Sequence, residues 1–133
     1  MIQERTVSAV EVLEAHLTQI SKHNAKLNAI CTLDEEGARQ QAKLADEALA
    51  KGENWGMLHG FPITIKDIFE SSELRTTAGY KPLKDYIPQQ DATAVARLRA
   101  AGAIILGKIN PAELAGDFQS KNNLFPASTI LGT

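Results

Sequence analysis

Apolar residues fall into two patterns along this chain, helical spacing in some stretches and short unbroken runs in others. Val10, Leu13, Leu17 and Ile20 recur at helical spacing, and "SAVE" (Ser8, Glu11) has the form of a capping box. Together they predict an amphipathic helix from about Ser8 to about His23. "LNAICTL" then reads as a short strand. Asp34 is placed to cap a second helix through "EEGARQQAKLADEALAKG", ending at Gly52. Its inner stripe, Ala38, Ala42, Ala45 and Leu49, is mostly alanine, so this helix can lie close against a neighbour. After a loop, "FPITIK" is the most strand-like run, with Ile63 and Ile65 branched at Cβ and Pro62 near the start, where a strand tolerates it. An irregular stretch from residue 71 to 90 carries Gly79, Pro82 and Pro88. Asp91 is expected to cap a third helix, "ATAVARLRAAG", before "AIILGK", a buried strand ending at Lys108. "NPAELAG" predicts a further helix, with Pro111 in its first turn. Strand, helix and strand between Phe61 and Lys108 predict a crossover unit in an α/β sheet.

The 133 residues suit one domain able to bury a core, and 44% hydrophobic with 23% charged residues is ordinary globular composition. A net charge of -2 leaves no basic footprint for nucleic acid or an anionic membrane, and 5% aromatics give bases no stacking platform. Cys31, the single cysteine, reads as a buried thiol and argues neither for disulfides nor for a metal. No apolar run approaches a membrane span, and charges interrupt the N-terminal stretch where a signal peptide needs apolar residues. The expected location is cytoplasmic.

Two strands end in lysine, Lys66 and Lys108, and ligands of open α/β sheets gather at strand C-termini. The plainer reading of each is a solvated strand exit, with Lys66 and Asp67 as a surface ion pair. "RTTAG" (Arg75 to Gly79) is either an ordinary polar turn or a substrate contact. "GKINPAE" is either a site loop or a strand exit leading into a helix that Glu113 favours electrostatically. His16, His23 and His59 lack metal-ligand spacing and read as structural. Paired carboxylates, a nucleophile elbow and a phosphate loop are all missing from the sequence. The residues by themselves support an α/β domain with a lysine-centred site as one candidate.

The ordered set "LHGFPITIKD", "RTTAG", "DATAVARLRAAGAIILGKINPAEL" and "DFQS" resembles the N-terminal part of the amidase signature family, from about Leu27 to about Phe125. The resemblance implies the N-terminal portion of an α/β/α sandwich with a mixed central sheet and helices packed on it. It implies a single incomplete amidase signature domain over residues 1–133. In that family a lysine at the Lys66 position belongs to a Ser-Ser-Lys triad. It is neutral and accepts a proton from a bridging serine, itself bonded to the nucleophilic serine. Burial in a low-dielectric site disfavours an ammonium, and an apolar strand inside a sheet suits that requirement. Gly79, Lys108 and Asn110 match family positions that are architectural, and Glu113 matches a position able to support the site. The implied reaction is attack on a linear carboxamide, an acyl-enzyme, and acyl transfer to water, with no cofactor and no metal.

Both family serines lie in a glycine- and serine-rich segment beyond an Asn-Pro-Trp signature, and this chain has neither. Ser8, Ser21, Ser71, Ser72, Ser120 and Ser128 sit in other contexts, so Lys66 alone is carried over and the chain alone is expected to be inactive. The family also holds the A subunit of glutamyl-tRNA amidotransferase, which usually reads Asn-Met-Asp-Glu-Phe where this chain has "NPAEL", so general amidases fit better. The alternatives are a fragment of that subunit or a non-catalytic α/β interaction module. A small-molecule amide is the expected partner of the full domain, and unpaired sheet edges are expected to promote self-association. After "NNLF" the family pattern stops. Residues 128–133 can be encoded by bases that spell Asn-Asn-Pro-Trp-Asn in another frame, as a one-base deletion would leave them. On that expectation the chain is an amidase remnant with Lys66 idle.

Overall fold

The structure, a computed structural model, describes residues 1–129; residues 130–133, where most of the expected frame change falls, lie outside the described residues. Three strands form one mixed sheet in the order β1-β3-β2, with β1 spanning Ile30–Leu33, β2 Pro62–Lys66 and β3 Ile104–Ile109. β1 runs antiparallel to β3, and β2 runs parallel to it. The parallel pair is joined through helix α3 (Thr93–Ala100), the crossover that the sequence pattern predicts.

Helices α1 (Ala9–Leu27) and α2 (Glu35–Ala50) share one apolar cluster with β3, made of Ala9, Leu13, Leu17, Ala38, Ala42, Ala45, Leu49, Ile104 and Leu106. The alanine stripe of α2 is buried as expected, and its small side chains let the two helices approach closely. A second cluster joins Ile65, Leu74, Val95 and Ile105, so Ile104 and Leu106 serve one core and Ile105 the other. Alternation along β3 therefore gives each core its share of an unbroken apolar run. Each buried leucine, isoleucine or valine side chain of these clusters stabilises the fold by about 1.5–3 kcal/mol.

Local chemistry sets the element ends. Ser8 accepts from the Glu11 N–H at 3.0 Å while the Glu11 carboxylate accepts from the Ser8 N–H at 2.8 Å, completing the capping box. Helix α1 continues past the expected His23 to Leu27, where Asn28 in a left-handed conformation closes it. Asp34 caps α2 by accepting from the Gly37 N–H at 3.0 Å. Gly102, at φ 94°, ends α3 as paired bonds run from Gly102 N–H to Arg99 and from Ala103 N–H to Leu98. No helix among the described residues is long and apolar enough to cross a membrane.

Two expectations are corrected. Asp91 does not cap α3, whose N-cap is Ala92 without a side-chain bond. Its carboxylate instead accepts from the Ser72 N–H (2.7 Å) and hydroxyl (2.9 Å) and from Arg99 Nε (2.9 Å), tying the 71–90 stretch to the helix. "NPAELAG" forms only a single 3-10 turn, Glu113–Ala115. Leu114 and Ala115 take positive φ, and the Leu114 N–H bonds to the Ala78 carbonyl at 2.8 Å. That tertiary bond takes a donor which a helix start leaves free.

Candidate active site at the strand ends

Lys66 is the last residue of β2 and pairs with Ile109 of β3, and Ile65 pairs with Lys108. Paired residues on adjacent strands project to one face, so Lys108 follows Ile65 and Lys66 takes the other face. Against the burial expected of a neutral lysine inside a sheet, Lys66 is partly exposed and β2 has a neighbour on one side only among the described residues, and the Lys66 Nζ makes no hydrogen bond or ion pair with them. The structure therefore separates the two strand-end lysines by environment.

Lys108 is 0% exposed, as is Asp67, which lies 3.7 Å from it as an ion pair. The surface pair of Lys66 with Asp67, one reading of the sequence, is not formed. Lys108 Nζ donates to the Phe69 carbonyl and to Thr76 Oγ1, both at 2.7 Å. Asp67 Oδ2 accepts from the Thr77 N–H at 3.1 Å and from the Thr77 hydroxyl, and the Asp67 carbonyl accepts from the Ala78 N–H at 2.7 Å. Asp67 Oδ1 has no hydrogen-bond partner among the described residues, leaving the Lys108 charge as its compensation. "RTTAG" is thus a clasp fastened to the ends of β2 and β3.

Burial pushes the Asp67 carboxyl above its usual range, against the Thr77 bonds and the Lys108 charge that pull it down. Burial likewise lowers Lys108 below its ordinary value, against the attraction of Asp67. Desolvation outweighs attraction at both ends. Cys31, half-buried on β1, donates to the Lys108 carbonyl at 3.5 Å, and burial followed by the Asp67 charge pushes its thiol up to about 12. A thiol held protonated is a poor nucleophile.

The neighbouring segments close around this end of the sheet. Arg75 donates to Thr32 Oγ1 and the Cys31 carbonyl, and its guanidinium sits 5.4 Å from the centre of the Phe125 ring. Asn122 Nδ2 donates to Asn110 Oδ1 and to the Pro111 carbonyl, both at 2.8 Å. Gly79, at φ 64°, lies so near Asn122 that a Cβ would stand 2.9 Å from it. Gly79, Lys108 and Asn110 are therefore brought together as framework. Glu113 accepts from Asn123 Nδ2 at 3.1 Å on the surface, with no bond to Lys66. His59 is buried between the Trp55 N–H and the Ala45 carbonyl, and His16 bonds to the Val12 carbonyl. Among the described residues no group of three His, Cys, Asp or Glu side chains converges to hold a metal. An apolar cavity of about 590 Å³ lies by the start of β2 between Ile2, Val7, Met57 and Phe61, and Lys66 does not line it.

The Amidase family profile matches residues 11–129. The chain belongs to the amidase signature family. The chain is 41% identical over 124 residues to the A subunit of glutamyl-tRNA(Gln) amidotransferase from Neorickettsia sennetsu, covering 93% of this chain and 26% of that protein. To its Roseiflexus castenholzii counterpart it is 43% identical over 125 residues, covering 94% and 25%. It therefore spans about a quarter of the length of the curated relatives it matches. Among solved structures, the peptide amidase of Stenotrophomonas maltophilia superposes with a TM-score of 0.81 at 31% identity, over 86% of this chain and 24% of that one. A further amidase crystal structure gives a TM-score of 0.83 at 35% identity, over 92% and 28%.

Both strand-end lysines and the "RTTAG" turn are visible in the sequence, but Asp67 and Thr76 as partners of Lys108, and Thr77 as the partner of Asp67, are not. The available signal was two adjacent threonines in a turn and an aspartate beside a strand-end lysine.

Proposed function

We propose that this chain is the lysine-bearing portion of an amidase domain that hydrolyses a linear carboxamide, with Lys66 as the base of a Ser-Ser-Lys triad. The observation that carries the reading is the placement of Lys66. It stands at a strand C-terminus, partly exposed and uncommitted, beside a buried clasp that holds the backbone under it. A base must be free of competing partners to take a proton from a hydroxyl, and its backbone must be fixed for the hydroxyl to find it. Lys108 is committed to two oxygens and a carboxylate, which suits a framework role. Neither triad serine is present in the 133 residues, so on this reading the chain alone does not turn over amides. The test grafts residues 1–129 in place of the matching portion of the Stenotrophomonas maltophilia peptide amidase. In an active graft Lys66→Ala should lower kcat/KM by at least about 1,000-fold without changing the melting temperature. Activity that survives the substitution overturns the assignment.

A second reading, the matching portion of a glutamyl-tRNA(Gln) amidotransferase A subunit, is favoured by the 41% and 43% identities to proteins of that name. "NPAEL" at 110–114, where those proteins usually have Asn-Met-Asp-Glu-Phe, speaks against it. The same graft into one of those relatives, assayed for amidotransfer, separates the two.

A further inference from the structure

We propose that Lys108, acting with Asp67, is a positioning residue for Lys66: it anchors the turn that carries Lys66 to the neighbouring strand. This rests on the reading of Lys66 as the base. The turn spans residues 66–69 and is closed by the Phe69 N–H, which donates to the Lys66 carbonyl at 3.1 Å. Its start is tied to β3, where the Asp67 N–H donates to the Ile109 carbonyl at 3.1 Å. Its end is tied to the same strand by a side chain, since Lys108 Nζ donates to the Phe69 carbonyl at 2.7 Å. Adjacent residues of β3, Lys108 and Ile109, therefore grip the turn at both ends. The 75–79 clasp adds a third hold. Thr76 Oγ1 accepts from the same Nζ at 2.7 Å, and Asp67 accepts from Thr77 through its carboxylate and from the Ala78 N–H through its carbonyl.

Stability does not account for the pair. Two fully buried charges 3.7 Å apart give up more solvation than their attraction returns, and apolar residues in such places are often as stable. What a charged donor supplies is direction, because its bonds to oxygen are short and strong. A base has to stand within a fraction of an ångström of the proton it takes, and bonded neighbours around its backbone hold it there. Lys108 pairs with Ile65 and shares its face, while Lys66 leaves the sheet on the other face, so Lys108 acts on Lys66 through the backbone and not by contact. Both Lys108 and Asp67 are fully enclosed by the described residues, so no further chain can reach them to supply another partner.

The test uses an active graft of residues 1–129 in the Stenotrophomonas maltophilia peptide amidase. Lys108→Met with Asp67→Leu removes both charges and fills their place with apolar side chains, which keeps the fold. It should lower kcat about 100-fold, the cost of a base misplaced by about 1 Å, with KM within about twofold and the melting temperature near that of the parent graft. In the Lys66→Ala background the same two substitutions should change the residual rate by less than about threefold, because a residue acting through Lys66 has nothing left to position. Equal losses in both backgrounds mean general damage to the site, and no loss in either means an anchor without effect; each overturns the proposal. Activity that survives Lys66→Ala overturns the base assignment itself, and this proposal with it. Should the double variant not fold, Thr76→Val removes one acceptor of Lys108 Nζ and Thr76→Ser keeps it. The first should lower kcat about tenfold and the second leave it near the parent, and equal kcat in the two counts against the anchor. Hydrogen exchange on the 133-residue chain reads the anchor directly. In the double variant the Phe69 amide should lose protection at least about tenfold while the α2 amides keep theirs, and a Phe69 amide as protected as before overturns the proposal.

Discussion

Asp67 and Lys108 bury opposite charges in contact with few other polar groups, and which effect wins there decides what each substitution does. Removing one partner strands the other charge, whereas removing both removes the desolvation cost as well. Lys108→Met should therefore cost about 3–5 kcal/mol in urea unfolding, and Lys108→Met with Asp67→Leu should recover most of it. A double variant as unstable as the single would show that Asp67 chiefly serves Thr77 and the 75–79 clasp. The pH dependence follows from the two shifts. Asp67 is raised in the fold, so its contribution is complete below the unfolded value of about 3.9 and is lost as pH climbs through the raised one. Lys108 is lowered, so its contribution is complete above about 10.4 and is lost as pH falls through the lowered value. Both contributions are smallest between the two folded values. Stability of the native chain, minus that of the double variant, should accordingly dip at neutral pH and rise toward both extremes; a maximum there would mean attraction outweighs burial.

Elements were legible where one pattern served one neighbour. The alanine stripe of α2 and the apolar run of β3 state in sequence what they do in space, because each is set by periodicity against a packed face. Ser8 and Asp34 cap as their spacing predicts. Asp91 and "NPAEL" follow the same grammar and fail, since partners distant in sequence claim the groups: Ser72 and Arg99 take the Asp91 carboxylate, and Ala78 takes the Leu114 N–H. The clasp was illegible for the same reason. Gly107 is an element-scale requirement that periodicity also hides, because a Cβ there would stand 2.3 Å from the Thr32 carbonyl oxygen of β1. Gly107→Ala should push β1 off β3 and cost about 1–3 kcal/mol, with the loss of amide protection concentrated at Ile30–Leu33. In α2, Ala42→Leu should cost a similar amount by prising α1 from α2, while leaving the strand amides protected.

At the scale of the whole molecule the question is whether any hydroxyl among the described residues is placed to act with Lys66 as a nucleophile. Most are engaged elsewhere. Ser8 holds the α1 cap, Ser71 donates to the Phe69 carbonyl at 3.3 Å, Ser72 to Asp91, and Ser128 to the Asn28 carbonyl at 2.9 Å. Ser21 lies within α1 and Ser120 in the segment after the 3-10 turn, and among the described residues neither is hydrogen-bonded to Lys66. A serine nucleophile needs a base within hydrogen-bond reach and donors aimed at the developing oxyanion, and a base alone supplies neither attack nor charge stabilisation. Among the described residues the sheet carries the lysine on one strand and gives it no hydroxyl across any other. A fluorophosphonate probe, which reports an activated serine directly, should therefore leave this chain unlabelled at neutral pH, and no acyl-enzyme should accumulate from an activated amide. Labelling of a single serine that disappears in Lys66→Ala would mean that the fold brings a hydroxyl to Lys66 in solution, and that the chain is a catalyst in its own right.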